Sequence, residues 1–84
     1  MPIILTIYSK PECGLCDEML EEINALAQTH SFELRKINIQ DDPALYRKYR
    51  YEIPVLTIND VEVARHRVTF EQLTAAIQQA QNAK

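Results

Sequence analysis

Apolar residues fall along the chain in segments whose periods alternate between those of strands and helices. Positions 3–8, IILTIY, are apolar and β-branched apart from Thr6, which predicts a strand buried on both faces. After a loop over 9–12, Cys16, Met19, Leu20, Ile23, Leu26 and Ala27 recur at spacings of three and four. That period predicts an amphipathic helix with Asp17, Glu18, Glu21 and Glu22 outward, weighted toward the positive end of its dipole. Over 32–39, Phe32 and Leu34 and then Ile37 and Ile39 alternate with polar residues. The phase slips at Arg35 and Lys36, which predicts a strand with a bulge or an early start.

Asp42-Pro43 supplies an N-cap and a first helical residue. The helix it opens is short, reaching about Tyr49, because Pro54 bounds it. Positions 55–58 predict a third strand, Asn59-Asp60 a tight turn of residues that tolerate positive φ, and 61–65 the returning strand. Thr69-Phe70-Glu71-Gln72 is a capping box. It starts a last helix expected to bury Phe70, Leu73, Ile77 and Ala80, with 81–84 fraying. The order is βαβαββα. A helix between the first two strands excludes a hairpin and requires a parallel crossover, whereas the last two strands pair antiparallel. The expected class is α/β: a four-stranded mixed sheet flanked by three helices, in a single domain over 1–84.

Composition narrows the function. The chain has 84 residues, enough for one small core. Its net charge of −3 has both signs interspersed, which gives no footprint for nucleic acid or an anionic membrane. No apolar run approaches the ~20 residues of a membrane span. MPIILTIY has no positive region before it and no small-residue cleavage site after it, so the expected compartment is cytoplasmic. Thiols there are normally reduced, and a structural staple is a poor explanation for the only two cysteines, Cys13 and Cys16.

Cys13 falls where the first strand gives way to the first helix, and Cys16 lies one turn in. Residues three apart on a helix share a face, with Cα atoms close enough to bridge, so the pair can cycle between dithiol and disulfide. Free N–H groups and the helix dipole stabilise a thiolate at Cys13, and Lys10 adds a nearby cation. Glu12 and Asp17 oppose this, so the expected depression of the Cys13 pKa is moderate. Cys16 lies on the apolar stripe and is expected to be sheltered. One exposed thiolate and one sheltered partner make a nucleophile and a resolving thiol.

With YSKPECGLC after the first strand, Ile53-Pro54 before the third and the βαβαββα order, nearly the whole chain resembles a short glutaredoxin-like protein of the thioredoxin fold. The resemblance implies a disulfide oxidoreductase with Cys13 as nucleophile and Cys16 as resolving cysteine. It implies a cis Pro54 beside the cysteines and an Ile53 backbone that pairs with an incoming peptide or glutathione. Lys10 matches the basic residue that glutaredoxins carry ahead of their cysteines.

The chain departs from that pattern after the fourth strand. Glutathione-binding members resemble one another in a Gly-Gly pair followed by an acidic residue, and here the stretch is Ala64-Arg65-His66-Arg67. Glu52 stands where a neutral residue is usual and is expected to repel glutathione, whereas Arg65 and Arg67 are the candidates to attract its carboxylates. The C-terminal signature of redoxins that serve ribonucleotide reductase is also missing. No tightly bound cofactor is expected, and weak or no glutathione dependence. The expected partners are a disulfide-containing protein or small thiol and a reductant or reductase, with no nucleic acid or membrane, and the expected state is a monomer. Two other classes compete: an iron–sulfur cluster bridged between two chains through Cys13, and a redox-inert adaptor. His30 and His66 lie on different elements and lack the spacing of a zinc site with the cysteines, so no metal ligand is assigned. Tyr46, Tyr49 and Tyr51 are expected to cap the core with their hydroxyls in water.

Overall fold

The computed structural model describes residues 3–82. Its elements are β1 (Ile4–Ser9), α1 (Gly14–Leu26), β2 (Glu33–Asn38), a 3-10 turn (Ile39–Asp41), α2 (Pro43–Tyr49), β3 (Val55–Ile58), β4 (Val61–Arg65) and α3 (Phe70–Asn82). The strands form one sheet in the order β2-β1-β3-β4. β1 pairs parallel with β2 and antiparallel with β3, and β3 pairs antiparallel with β4. This is the mixed sheet with three helices that the hydrophobic pattern predicts.

Alternation along the strands divides the core in two. Leu5 and Ile7 of β1 and Leu56 and Ile58 of β3 pack against Met19, Ile23 and Leu26 of α1 and Leu73 and Ile77 of α3. Tyr8 and Val55 point the other way, into a smaller cluster with Leu45 and Tyr49 of α2, Ile39, Ile53, Cys13 and Cys16. Each fully buried Leu or Ile stabilises by about 1.5–3 kcal/mol, and the first cluster holds most of them.

Local signals place the joints. The Asp42 carboxylate accepts from the N–H groups of Ala44 and Leu45, with Pro43 opening α2. Thr69 and Gln72 exchange two 3.0 Å hydrogen bonds as a capping box. Asn59 and Asp60 both have positive φ, and the Asn59 side-chain oxygen accepts from the Ile4 N–H at 3.0 Å.

Four details differ from the expectation. β2 has no bulge: its ladder with β1 runs unbroken from Glu33 to Asn38. Phe32 and Leu34 pack on the first cluster, while Ile39 lies in the 3-10 turn and is buried in the second. The phase slip is therefore the apolar side of the segment changing faces. The irregularity lies instead between β3 and β4, where Leu56 pairs with Ala64 and Thr57 with Glu62, leaving Val63 unmatched on an edge strand. Phe70, at the first turn of α3, is exposed, and Val68 takes its place against the core together with Leu73. That is the hydrophobic staple across a capping box. Ala27 is the exposed C-cap of α1 rather than part of its buried stripe. Of the tail expected to fray, Gln81 and Asn82 are helical, and 83–84 lie outside the described residues.

On the α2 face of the sheet, Thr57 of β3 lies opposite Thr6 of β1, and both are buried. The Thr57 hydroxyl makes no hydrogen bond to the protein. A buried hydroxyl without a partner carries its desolvation penalty uncompensated, and valine has the same shape without it. Thr57→Val should therefore raise stability by about 1 kcal/mol, a Tm rise of ~4–8 °C for a domain of this size. Thermal unfolding of the two proteins measures this, and a lowered Tm would show that the hydroxyl is satisfied in solution.

Candidate functional site

The site lies where β1 ends. The chain leaves Ser9 through the turn Lys10–Glu12 and enters α1 with Cys13 as N-cap. Pro11 followed by Glu12 at φ 59° is the pairing that a type II turn requires. Cys13 itself is extended, at φ −114° and ψ 108°. This turns its sulfur back over the helix end, where it accepts the Cys16 N–H at 3.2 Å. Sulfur thus occupies the place that a serine or aspartate oxygen takes at other N-caps. The two Cα atoms are 5.2 Å apart and the sulfurs are bonded to one another. Cys13 is half-buried, whereas Cys16 is only 2% exposed. The predicted inequality of the two sulfurs is present in their burial.

The segment before β3 closes the other side. The Ile53–Pro54 peptide is cis. Ile53 and Val55 pack in the same cluster as both cysteines, and the Pro54 carbonyl accepts the His66 N–H at 2.8 Å. Tyr49 supports this cluster, its ring 4.9 Å from that of Tyr8. Of the three tyrosines expected to cap the core only Tyr49 does so; Tyr46 and Tyr51 are exposed. Lys10 is exposed in the turn and makes no ion pair among the described residues.

Arg65 is placed at this end of the sheet, but its guanidinium is already engaged. It donates to both carboxylate oxygens of Glu62 at 2.7 Å and to Glu52 at 3.0 Å. The hydrogen bond from Arg65 holds the Glu62 carboxyl below its ordinary value, and the same bond, reinforced by Glu52, raises Arg65. Glu52 also lies 3.4 Å from the His66 ring. The carboxylate expected to repel an anionic substrate therefore faces a cation of its own protein.

Glu62 is the residue that sequence reasoning missed. Positions three apart on a regular strand point to opposite faces, so Glu62 and Arg65 give no pairing signal. The unmatched Val63 restores them to one face: Glu62 pairs with Thr57 and Arg65 with Val55, which lie two apart on β3. Beyond Arg65 the chain turns sharply at His66, φ 69°, with the Arg67 N–H donating to the Arg65 carbonyl at 2.8 Å. Arg67 then lines a cavity of about 200 Å3 against Leu15, Glu18 and Glu22 of α1. The structure thus brings Cys13, Cys16, Ile53 and Pro54 together, commits Arg65 to internal pairs, and puts Arg67 beside α1. Among the described residues no three potential metal ligands gather at one point.

Comparison with known proteins agrees with this geometry. A family model described as a glutaredoxin-like domain (DUF836) matches residues 4–78. The chain is similar to protein Ne2328 from Nitrosomonas europaea, known from a solution NMR structure. Identity is 31%, coverage 90% of this chain and 92% of that one, and the TM-score 0.78. It is also similar to protein XcR50 from X. campestris, at 28% identity, 89% and 96% coverage and a TM-score of 0.74. Chloroplastic thioredoxin z, at 15% identity, 98% and 80% coverage and a TM-score of 0.76, shares the fold.

The turn ahead of Cys13 carries a stability test. A glutamate at positive φ is strained in a way that glycine is not. Glu12→Gly should raise stability by about 0.5–1 kcal/mol, the relieved strain exceeding the entropy that glycine adds to the unfolded chain. Glu12→Ala removes the same charge but keeps the strain, so it should bring no such gain. Urea midpoints of the three proteins decide this, and equal midpoints for the glycine and alanine variants would show that φ is not the cause.

Proposed function

The chain belongs to the glutaredoxin-like domain family, and from that footing we propose that it is a thiol–disulfide oxidoreductase working through Cys13 and Cys16. The observation that carries the reading is the Cys13 sulfur at the N-cap of α1, accepting the Cys16 N–H, with Cys16 buried beneath it. An N–H aimed at sulfur at a helix N-terminus favours thiolate over thiol, and the thiolate is the nucleophile.

In the reduced protein the Cys13 thiolate attacks one sulfur of a substrate disulfide. The substrate S–S bond breaks, a Cys13–substrate disulfide forms, and the departing thiolate takes a proton from solvent. Cys16, losing its proton, then attacks the Cys13 sulfur. The mixed disulfide breaks, Cys13–Cys16 forms, and the second substrate thiolate leaves. Two electrons have passed from the dithiol to the substrate, and an external thiol or reductase restores the dithiol. The 5.2 Å Cα separation lets Cys16 reach its target with little backbone movement. The buried Ile53 and Pro54 and the half-buried Cys13 form the floor of the substrate path; the Ile53 N–H already donates to the Tyr49 carbonyl at 3.1 Å, so the Ile53 carbonyl is what that backbone offers an incoming chain.

Glutathione is a poor fit for this path. The turn at Ala64 to Arg67 offers its ammonium no acceptor side chain, and the nearest carboxylates, Glu52 and Glu62, are held by Arg65. Arg65 in turn is not free to take a glutathione carboxylate.

The assigned roles predict unequal alkylation. Below neutral pH, a thiol reagent added to the reduced protein should label Cys13 well before Cys16, as read by peptide mass spectrometry. Equal rates, or faster labelling of Cys16, would reverse the assignment. A Cys16→Ser variant should in addition accumulate the mixed disulfide with substrate.

The same geometry predicts weak glutathione-coupled turnover. Loss of one charge-assisted hydrogen bond costs about 1.5–3 kcal/mol, or one to two orders of magnitude in rate. In a disulfide-reduction assay the protein should work better with a dithiol or a thioredoxin-reductase-like system than with glutathione. Efficient glutathione coupling would mean that Arg67 and His66 form a substitute site.

A further inference from the structure

α2 has two unlike sides. Leu45 and Tyr49 turn inward, into the cluster that contains both cysteines. Tyr46, Arg47, Lys48 and Arg50 turn outward and are exposed. The chain continues from them into Tyr51, which is 76% exposed and has the Arg50 guanidinium 4.7 Å from its ring centre. Arg47, Lys48 and Arg50 make no ion pair among the described residues, in contrast to Arg35 and Arg65. An open concavity of about 740 Å3 runs along this face between Gln40, Pro43, Tyr46, Arg47 and Arg50. Of the carboxylates next to these residues in sequence, Asp41 is exposed and Asp42 is turned onto the helix N–H groups.

Across the cysteines the sign reverses. Asp17, Glu18 and Glu21 on α1 are exposed. Cys13 is held between two elements of different charge: it packs with Leu45 and Tyr49, the inner residues of α2, and it caps α1, whose outer positions carry these carboxylates. The α2 surface is cationic in a chain whose net charge is −3. Arginine and tyrosine are the residues that anchor protein interfaces, and unpaired charges around a reactive centre govern encounter rate and orientation.

Resting on the oxidoreductase reading, we propose that the substrate is a protein whose disulfide lies beside an acidic segment, and that this segment docks on the Tyr46–Arg47–Arg50–Tyr51 face of α2. Leu45 and Tyr49, on the inner side of the same helix, pack in the cluster that holds Cys13, and a helix is about 10 Å across, so a substrate chain extending from Cys13 needs only several residues to pass α2. On the other flank Glu18 and Glu22 share a cavity with Arg67, which leaves the exposed Asp17 and Glu21 to disfavour the opposite orientation. A tripeptide is too short to fill both the cysteine site and the concavity, and a protein segment is not.

Single-turnover oxidation of the reduced protein tests this without any added reductant. Two disulfide peptides of the same length are compared, one flanked by Asp and Glu and the other by Lys, with a small neutral disulfide as reference. The acidic peptide should react about tenfold faster at low salt, with the advantage shrinking as salt is added. A double variant, Arg47→Ala with Arg50→Ala, should lose most of that preference and keep its rate on the neutral disulfide. Arg35→Ala with Lys36→Ala makes the same change of net charge elsewhere and should keep the preference. Equal rates on the two peptides, or a preference that survives the α2 variant, would overturn the docking proposal alone. No reaction with any of the three disulfides would instead defeat the oxidoreductase reading, and the docking proposal with it.

Discussion

Hydrogen bonding of β1 to β2 along one edge and to β3 along the other leaves this interior strand no freedom of register, and the site is built on its end. β2 is parallel to β1, so the chain must return the full length of the sheet between them, and α1 does so. The N-terminus of α1 is therefore fixed at the end where β1 stops, with its free N–H groups directed there. β3 is antiparallel to β1, so it begins at that same end. Ile53 and Pro54, which precede it, meet Cys13 and Cys16 although the two segments are far apart in sequence. Leu5, Ile7, Leu56 and Ile58 hold this arrangement by burying the strands under α1 and α3. The cysteine pair has a rigid support that it does not itself provide.

Much of this was legible because it is local. Asp42-Pro43, the Thr69–Gln72 box and Asn59-Asp60 each specify a backbone geometry within a few residues, and the structure uses all three. The Cys13 and Cys16 placement followed from one strand pattern giving way to one helix pattern. What was illegible depends on which neighbour covers which face. The phase slip at Arg35 and Lys36 looks like a bulge because the apolar residues on either side of it face different halves of the core. Phe70 fits the helical stripe, yet Val68 reaches the core first. The Arg65–Glu62 pair needs the unmatched Val63, which only the strand register reveals.

Scarcity of glycine shapes the loops around the site. Four described residues other than glycine have positive φ: Glu12, Asn59, Asp60 and His66. Gly14, the sole glycine of the chain, is not one of them, and a side chain there would meet open space. Asn59 and Asp60 tolerate the left-handed region at small cost and sit at the far end of the sheet from the cysteines. Glu12 precedes Cys13, and His66 is hydrogen-bonded to Pro54. Histidine is also among the types that adopt this region readily, so the least tolerant of the four is Glu12, directly ahead of Cys13. Backbone strain persists where surrounding structure over-determines it, and here α1 and β3 supply that constraint.

Ion pairing decides where this surface keeps its positive charge. Glu52 and Glu62 converge on Arg65, so the cation that pairs across from Val55 is neutralised within the protein. The exposure of these groups makes the pairs weak contributors to stability, and their consequence lies in what they leave for a substrate. On the β4 side, where a small anionic thiol would need a fixed cation, the guanidinium is occupied. On the α2 side Arg47 and Arg50 make no ion pair among the described residues, whereas Lys48 lies within electrostatic range of Glu62. On the docking proposal, attraction for anions lies on the outer face of α2 rather than along the path over the sheet. On the same proposal, the engagement of Arg65 by two glutamates and the arginines of α2 that make no ion pair among the described residues act together, both favouring a protein partner over a tripeptide.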